Sequence, residues 1–454
     1  MIQFVGAREE CFVRSIFLTF ERRIMLLSVI ISGATCLAMI FGVLFYPKIS
    51  IGRLSLGSYW VVTLVGAVLL LATGVVDLRG VVDALLADTA INPLKILVLF
   101  ISMTLLSIYL DELGFFRYLA SVTLKRAGCS QTRLFFILYI TVSVLTVFTS
   151  NDIIILSFTP FICYFAKNAR ISPLPYLAAE FVAANTWSMA LIIGNPTNIY
   201  LVTAAGGDFI SYLITMIFPT LISGTVAFFC LHLAFHKKFS QPIDAQPEEV
   251  KIDDRVSLLV GIIHLAVCTV LLAVGSYIGL DMWLVALISA LSLLTFTLVI
   301  ATVRKEAPVH TAASLKRAPW ELIPFILSMF VVVESLNTNG VTEQLYQVLN
   351  TSAPVWSYGI TSFFAANLIN NIPMSVLYSS ILSGGAANAA VYATVVGSNL
   401  GACLSPIGAL AGIMWSSILK KHDLKFGYLD FLKIGITIAV PALIAALVML
   451  DLMF

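Results

Sequence analysis

Residues 191–201 read LIIGNPTNIYL, an apolar run with a short polar interruption. Proline lacks a backbone donor and clashes with the preceding turn, and glycine tolerates unwound backbone, so this run predicts a helix broken in its middle. Residues 404–408 read LSPIG and interrupt a second apolar run in the same way. Amides and carbonyls freed at such breaks attract anions and cations, so two matched breaks indicate a binding site.

The composition of the chain restricts the class of protein. Of its 454 residues, 60% are hydrophobic and 11% are charged, whereas a soluble domain carries about 25% charged residues. These values exclude a soluble enzyme, a disordered chain and a basic nucleic-acid-binding protein. The 7 cysteines and 5 histidines form no CxxC or HExxH pattern, so neither a disulfide framework nor a metal site is predicted.

Ten apolar segments are long enough to cross a membrane, which takes about 20 residues. They are residues 24–46, 57–76, 94–116, 176–203, 209–236, 255–277, 282–303, 321–337, 388–416 and 426–453. Two further stretches, residues 133–166 and 355–383, have shorter apolar arms on either side of a polar tip. A polar break at mid-depth is tolerated only against protein or a wet cavity, so both stretches are predicted to be hairpins. The predicted fold class is an all-α integral membrane protein with about ten transmembrane helices plus two re-entrant helical hairpins.

Positive charge predicts the orientation of these segments. If the first span runs inward and each hairpin returns to its own side, 19 of the 26 lysines and arginines lie in inner loops, as the positive-inside rule requires. Arg8, Arg14, Arg22 and Arg23 would remain outside. We therefore expect residues 1–24 to be a mis-assigned extension, with translation starting at Met25. The alternative is a cytoplasmic basic tail followed by one extra crossing.

The two halves of the chain repeat the same order of motifs. Ile101-Ser102-Met103 matches Leu327-Ser328-Met329, and the hairpin tip Asn151-Asp152-Ile153 matches Asn370-Asn371-Ile372. Each half holds five spans and a hairpin, and an odd number of spans places the second half upside down. The sequence thus predicts an inverted-topology repeat, the plan of secondary transporters. Its predicted parts are a first repeat at 25–236, a cytoplasmic linker at 237–254 and a second, inverted repeat at 255–454.

The candidate substrate- and ion-binding residues lie at the hairpin tips and helix breaks, where uncharged donors and acceptors cluster. They are Ser150, Asn151, Asp152, Asn370 and Asn371 at the tips, and Gly194, Asn195, Pro196, Thr197, Asn198, Ser398, Asn399, Ser405, Pro406 and Gly408 at the breaks. Gly397 and Gly401 are predicted to loosen the backbone of the second break further.

Asp152 is the acidic residue that the prediction places deepest in the membrane. A carboxylate buried there is costly and by default functional. We hypothesise that Asp152 carries the coupling proton or coordinates a coupling cation; the alternative is a structural carboxylate that caps the second hairpin arm. Glu180 and Asp430 are expected at solvated inner helix ends. Asp111 and Glu112 are expected to pair with the basic loop that follows them rather than to form a gate.

Several motifs together resemble a known family. They are Leu110–Phe116 (LDELGFF), Asn151-Asp152 with Thr159-Pro160, Pro319-Trp320, Asn370-Asn371-Ile372-Pro373, and Val396–Trp415 (VGSNLGACLSPIGALAGIMW). Over residues 25–454 the chain resembles the bacterial arsenical-pump membrane proteins of the ion transporter superfamily. The resemblance implies a multi-pass inner-membrane carrier with two re-entrant hairpins that exports arsenite and antimonite, driven by inward proton movement. It adds Pro373 to the candidate site.

Some positions depart from that family. Asn185 stands where the arsenical pumps carry an aspartate, and Asn399 where many of them do, which brings Asn185 into the candidate site. Gly194–Asn198 resembles instead the Gly-Thr-Pro-Pro-Asn box of the citrate and dicarboxylate carriers, and Ser150-Asn151 resembles their Ser-Asn-Thr hairpin tip. Three functions stay open: proton-coupled arsenite and antimonite efflux; sodium- or proton-coupled transport of a carboxylate or inorganic anion; and sodium/proton antiport through Asp152.

The expected partners are a small inorganic or carboxylate ion and the lipid bilayer. No cofactor is predicted beyond a coupling H⁺ or Na⁺, and no nucleophile–base pair predicts an enzyme. Because no Walker motif is present, ATP would act only through a separate ATPase subunit, and a homodimer is also compatible with the plan. A channel or structural membrane protein is disfavoured, because internal symmetry with broken helices suits alternating access.

Overall fold

The structure of the protein is a computed structural model. It describes residues 2–46, 48–51, 54–88, 92–128, 130–239, 242–243, 250–275 and 278–454, and for residues 2–21, 44, 51 and 54 the backbone alone. The predicted extension at 1–24 falls largely outside the described side chains, and residues 240–241 and 244–249 of the predicted linker at 237–254 lie outside the described residues. Both stay predictions, as do the boundaries of the two repeats.

The first half of the chain is helical apart from one short β-hairpin, which the sequence analysis did not predict. Its elements are α1 (Ile2–Phe45), β1 (Lys48–Ile51), β2 (Leu54–Gly57), α2 (Ser58–Ala72), α3 (Leu78–Leu86), α4 (Pro93–Glu112), α5 (Phe115–Ala127), α6 (Gln131–Phe148), α7 (Asn151–Asn168), α8 (Leu174–Trp187), α9 (Pro196–Ala204) and α10 (Phe209–Phe235). The strands pair antiparallel, with Lys48 opposite Gly57.

The second half repeats this order of helices. Its elements are α11 (Arg255–Gly275), α12 (Met282–Arg304), α13 (Val309–Arg317), α14 (Leu322–Thr338), α15 (Val341–Leu349), α16 (Pro354–Ile369), α17 (Asn371–Leu382), α18 (Asn388–Gly401), α19 (Leu410–Lys421), α20 (Tyr428–Ile434) and α21 (Val440–Met453), with a π-helical turn before α21. In each half, two helices, a short helix, a longer helix, another short helix, a hairpin and a broken helix follow one another. That the second half is inverted in the membrane relative to the first stays a prediction.

Within the described residues, 8 helical stretches are long and apolar enough to cross a membrane, and Ser58–Ala72 is a shorter apolar helix. The predicted all-α membrane fold is confirmed. The predicted spans at 176–203 and 388–416 are not among these stretches, because a break divides each into two short helices. The first hairpin arm, Gln131–Phe148, is among them, so its length alone does not make it re-entrant.

The helices group into two compact units. Unit 1, residues 1–93 and 320–351, contains α1 to α3, the β-hairpin, α14 and α15. Ser28 on α1 donates through its hydroxyl to the Ser335 carbonyl on α14 at 3.0 Å. Hydroxyl side chains at such contacts are typical of helices that pack within membranes.

Unit 2, residues 94–319 and 352–454, contains the candidate site. Each hairpin packs beside the broken helix of its own half: α6 and α7 contact α8, and α16 and α17 contact α18. The second arm of each hairpin also packs against the broken helix of the other half, α7 against α19 and α17 against α9. This reciprocal packing is what a two-fold relation between the halves would produce.

An ion pair joins the start of α11 to the end of α12. Asp254, just before α11, accepts hydrogen bonds from the Ser257 amide at 3.0 Å and hydroxyl at 2.6 Å. Its carboxylate also lies 2.6 Å from the guanidinium of Arg304, at the end of α12. Partial burial opposes the charged form, but the hydrogen bonds from Arg304 and Ser257 outweigh it and lower the pKa of Asp254 to about 2.

This ion pair predicts an acid-sensitive part of the stability. Because the pKa of Asp254 is lower in the folded chain than in the unfolded one, the contribution is complete above about pH 4 and is lost as the pH falls towards about 2. We expect the purified wild type to lose more thermal stability over this range than Asp254→Asn. Thermal unfolding at stepped pH measures the difference. Asp253→Asn, at the exposed neighbouring residue, should follow the wild-type curve, and an Asp254→Asn curve identical to the wild type would contradict the prediction.

Candidate substrate and ion site

The first break separates α8 from α9 and consists of two 3-10 turns, Ser188–Ala190 and Ile192–Gly194. The chain requires glycine at its end, because an added Cβ on Gly194 would lie 2.3 Å from the carbonyl oxygen of Ser188. The predicted break is therefore confirmed. It begins earlier than the sequence motif, however, because the helix already changes form at Ser188.

Two asparagines pair with the backbone groups of this break. Asn195 caps α9 by accepting a hydrogen bond from the Thr197 amide at 3.2 Å, and Pro196 occupies the first helical position, where no N–H is needed. Asn198 donates through Nδ2 to the Ser188 carbonyl at 2.8 Å. The Ser188 carbonyl at the start of the break is thus bound within the protein.

The second break is the irregular segment 402–409 between α18 and α19. Asn367 of α16 holds it in place, because its Nδ2 donates to the Gly401 carbonyl at 2.9 Å and its Oδ1 accepts from the Ser405 hydroxyl at 2.6 Å. An added Cβ on Gly408 would lie 2.9 Å from that same Oδ1. The predicted Ser405 and Gly408 therefore belong to the break. Asn367, which the sequence analysis missed, organises it.

Asn399 on α18 joins the two halves of the site. Its Oδ1 accepts hydrogen bonds from the Ser188 hydroxyl at 2.8 Å and from Asn195 Nδ2 at 2.9 Å. Its Nδ2 donates to Asn198 Oδ1 at 2.7 Å. All four residues are buried. The structure thus brings together the predicted Asn195, Asn198 and Asn399, and it adds Ser188 as a further member.

Each hairpin tip contacts the broken helix of its own half. At the first tip, Asn151 donates through Nδ2 to Asn185 Oδ1 at 3.2 Å. At the second tip, Asn370 donates through Nδ2 to the Ile407 carbonyl at 2.9 Å. The predicted tip residues and the predicted breaks therefore lie side by side, and Asn185 belongs to the same network.

Asn370 has a backbone conformation that is rare for a residue with a side chain, with φ 72° and ψ 152°. Such conformations cost about 1–3 kcal/mol and persist only where surrounding contacts hold them. Here Asn370 Oδ1 accepts from the Ile372 amide at 3.2 Å, and the Asn371 amide donates to the Gly408 carbonyl at 3.0 Å. Strain of this kind clusters at ligand clamps and switch regions, which supports a functional role for this tip.

Asp152 lies half-buried in the first turn of α7. Its amide donates to Asn151 Oδ1 at 2.9 Å, but its carboxylate accepts no hydrogen bond from any residue that the structure describes. The alternative that Asp152 caps the second hairpin arm is therefore wrong. Its role in coupling stays a prediction.

Three residues that were expected to loosen or line the second break are helical. Gly397, Ser398 and Gly401 belong to α18, which packs closely against α16. An added Cβ on Gly397 would lie 2.4 Å from the Gly359 carbonyl oxygen. The glycines of α18 therefore allow a close approach of two helices rather than unwinding of one.

Some buried polar atoms of the tips and breaks lack a protein partner. The side-chain oxygens of Thr197, Asn371 and Ser398 make no hydrogen bond with the described part of the chain. Buried polar atoms are normally paired, so unpaired ones are candidate contacts for a ligand or water. The predicted site also includes three prolines, whose side chains have no polar atoms: Pro196, Pro373 and Pro406.

Glu180 does not lie at a solvated helix end, as was expected. It is 0% exposed on α8, and its Oε1 accepts a hydrogen bond from the Thr159 hydroxyl at 2.9 Å. The expectation was wrong because α7 covers this part of α8. Beside it, the ring of Trp415 from α19 lies 5.0 Å from the ring of Phe181.

Asp111 and Glu112 each form an ion pair with a basic residue, but that residue is not in the loop that follows them. Both pair with Arg317 at the end of α13, which lies 2.8 Å from Asp111. Asp111 also accepts from the Ser157 hydroxyl on α7 at 2.6 Å. The contact connects the end of α4 with the end of α13. Asp430 is half-exposed and binds the first turn of α20, as expected of a helix end.

The hairpin tips and helix breaks form a polar site. Among its predicted residues, Asp152 is the one with an ionisable side chain. Amide and hydroxyl groups supply both donors and acceptors, so the site can bind an uncharged polar solute or, through oxygens, a cation. Within the described residues, no group of three or more His, Cys, Asp or Glu side chains could hold a metal ion.

Two solved structures share this architecture at low sequence identity. The YdaH transporter of Alcanivorax borkumensis matches with a TM-score of 0.55 over 94% of this chain and 98% of its own, at 14% identity. MtrF of Neisseria gonorrhoeae, from a class of antimetabolite efflux pumps, matches with a TM-score of 0.50 over 95% and 97%, at 13% identity. Together with the apolar spans and broken helices, these matches show that the chain has a membrane-protein fold shared with those two proteins.

Sequence comparison gives the family. The citrate transporter model matches residues 49–397, so the chain belongs to that family. The arsenical pump membrane protein of Escherichia coli K12 is 30% identical over 93% of this chain and 98% of its own. A putative arsenical pump membrane protein of Bacillus subtilis is 24% identical over 82% and 89%. The resemblance to arsenical-pump and citrate-carrier permeases is therefore confirmed.

Proposed function

We propose that the protein is an inner-membrane secondary transporter that exports arsenite and antimonite in exchange for protons. The relatives named as arsenical pump membrane proteins support this function, because the match extends over 93% of the chain. The observation that carries the proposal is the hydrogen-bond network of Asn399, Ser188, Asn195 and Asn198, which is buried and contains no ionisable group.

An uncharged network suits an uncharged solute. Near neutral pH, arsenite is the neutral trihydroxide, whose hydroxyl groups both donate and accept hydrogen bonds, as amides do. A polycarboxylate such as citrate carries several negative charges, and burying them without cationic partners is costly. No lysine, arginine or histidine belongs to the predicted tips and breaks. The chemistry of the site therefore favours the metalloid over the carboxylate.

Transport in proteoliposomes tests the proposal. With a lumen more acidic than the medium, protons leave and arsenite should accumulate inside, and a protonophore should abolish the accumulation. One pH unit per proton exchanged can sustain about a tenfold concentration ratio. Arsenite in the lumen is measured by elemental analysis, with protein-free liposomes as the control. Arsenite movement that ignores the proton gradient, or no arsenite movement, would refute the proposal.

The carboxylate in the first hairpin gives a second prediction. Asp152→Asn removes the ionisable group at the tip while keeping its size, so gradient-driven arsenite accumulation should fall about tenfold, to the level without a gradient. Asp208→Asn is the matched control. Asp208 caps α10 through hydrogen bonds to Ile210 and Ser211, and asparagine is an equally good cap. Full gradient-driven accumulation by Asp152→Asn would exclude the coupling role.

Carboxylate transport is the second candidate function, because the matched family model is that of a citrate transporter. The same proteoliposomes distinguish the two functions when citrate and succinate are offered under imposed sodium and proton gradients. Saturable citrate uptake without arsenite accumulation would select the second candidate. Sodium movement coupled to protons, without either solute, would select the antiport function.

A further inference from the structure

The interior of unit 2 contains a second acidic group that the proposed coupling does not use. Glu180 is 0% exposed, and its two carboxyl oxygens lie 2.9 and 3.1 Å from the same hydroxyl, that of Thr159. One hydroxyl supplies one hydrogen, so it can satisfy only one of these oxygens at a time.

The surroundings of this carboxyl supply no positive charge. From α7, Thr159 and the Cys163 thiol face it; from α19, Trp415 approaches it. No lysine, arginine or histidine among the described residues pairs with it. An ionised carboxylate buried without a cation or several donors is strongly disfavoured. The protonated acid fits these surroundings, because it carries no charge for them to compensate.

The position of Glu180 links it to movement of the first hairpin. Thr159 immediately precedes Pro160, which lies inside α7 and cannot donate to the carbonyl one turn earlier. Helices bend most easily where this hydrogen bond is missing. The contact between Glu180 and Thr159 therefore lies where α7 is weakest. Thr159 is also seven residues beyond Asp152, about 10 Å along the helix, so the two acids are separate sites.

We propose that Glu180 is a proton-binding site of the transporter, which holds a proton while α7 contacts α8 and exchanges it when α7 moves away. The inference rests on the proposed proton-coupled function. It adds a site to that function, since neither the hairpin tips nor the breaks include Glu180. In this scheme the neutral, protonated acid favours the contact between the hairpin and the broken helix, and the charged acid weakens it.

Infrared spectroscopy of the purified protein tests the proton directly, without transport. At neutral pH the wild type should show the carbonyl stretch of a protonated carboxylic acid, which Glu180→Gln should remove. Glu343→Gln, at an exposed position, should leave it unchanged. If Glu180→Gln does not fold, Thr159→Val retains the acid and removes its partner, so the band should shift in frequency. A wild-type spectrum that is identical to that of Glu180→Gln in this region, or a Glu180 band that Thr159→Val does not move, would overturn the proposal.

Transport measurements test the coupling. Glu180→Gln mimics the protonated acid, so it should retain exchange of arsenite at equal pH while proton-driven accumulation falls about tenfold. Accumulation equal to that of the wild type would overturn the coupling role. If the wild type does not move arsenite, the proposed function fails, whereas the infrared result still decides whether Glu180 holds a proton.

Discussion

Replacing Asn399 with alanine should abolish gradient-driven transport and destabilise the protein. The substitution removes the acceptor used by the Ser188 hydroxyl and by Asn195, and it removes the donor that binds Asn198. Each buried group left unpaired costs about 1–3 kcal/mol. Because these groups join α18 to the first break, the geometry of both breaks should be lost together. Thermal unfolding and arsenite transport in proteoliposomes measure the two effects.

Thr394→Val provides the matched control for Asn399→Ala. Thr394 is also fully buried on α18, but among the described residues its hydroxyl bonds only to the Ala390 carbonyl of its own helix, at 2.7 Å. This variant should lose about 1 kcal/mol of stability, the usual net value of one hydrogen bond, and should retain transport. Near-wild-type stability and transport in Asn399→Ala would show that the hydrogen bonds of Asn399 are needed for neither.

Gly397→Ala should prevent α18 from packing correctly against α16. The new methyl group would lie 2.0 Å from the Ser362 hydroxyl oxygen and 2.4 Å from the Gly359 carbonyl oxygen. The hydroxyl can rotate away, but the carbonyl belongs to the backbone, so the helices must separate. Overpacking in a rigid interior costs about 1–3 kcal/mol and occasionally more. We expect a loss of monodisperse protein after solubilisation, measured by size-exclusion chromatography, and a lower unfolding temperature.

Gly33→Ala separates crowding from the general effect of replacing a glycine. Gly33 is also helical, on α1, but an added Cβ there would meet nothing within 4 Å. Alanine is the better helix former by about 1 kcal/mol, so this variant should be as stable as the wild type or more stable. Equal behaviour of the two alanine variants would contradict the packing argument.

Local sequence was sufficient to predict the hairpin tips and both helix breaks. Proline and glycine act within one turn of the chain, so the breaks at Pro196 and Pro406 follow from the nearest neighbours alone. The partners of these segments could not be predicted in the same way. Ser188 and Asn399 are separated by 211 positions in sequence, and only the packing of unit 2 brings them into contact. Asn367 was missed for the same reason.

The acidic residues show the limit of reasoning from position along the chain. Glu180 was expected near solvent because it lies close to the predicted inner end of a span. Its burial depends on α7 and on Trp415 of α19, more than 200 residues further along the chain. Asp111 and Glu112 were correctly expected to form an ion pair. Their partner, Arg317, comes from the other half of the protein rather than from the adjacent loop.

The packing of each hairpin against the broken helix of the opposite half affects how easily protons can leak across the membrane. Since α7 rests on α19 and α17 rests on α9, neither hairpin can withdraw without disturbing a helix from the opposite half. A state in which both hairpins are displaced would have to give up both of these interfaces simultaneously. We therefore expect such a doubly open state to be rare, so that under the proposed proton exchange few protons would cross the membrane without the transported solute.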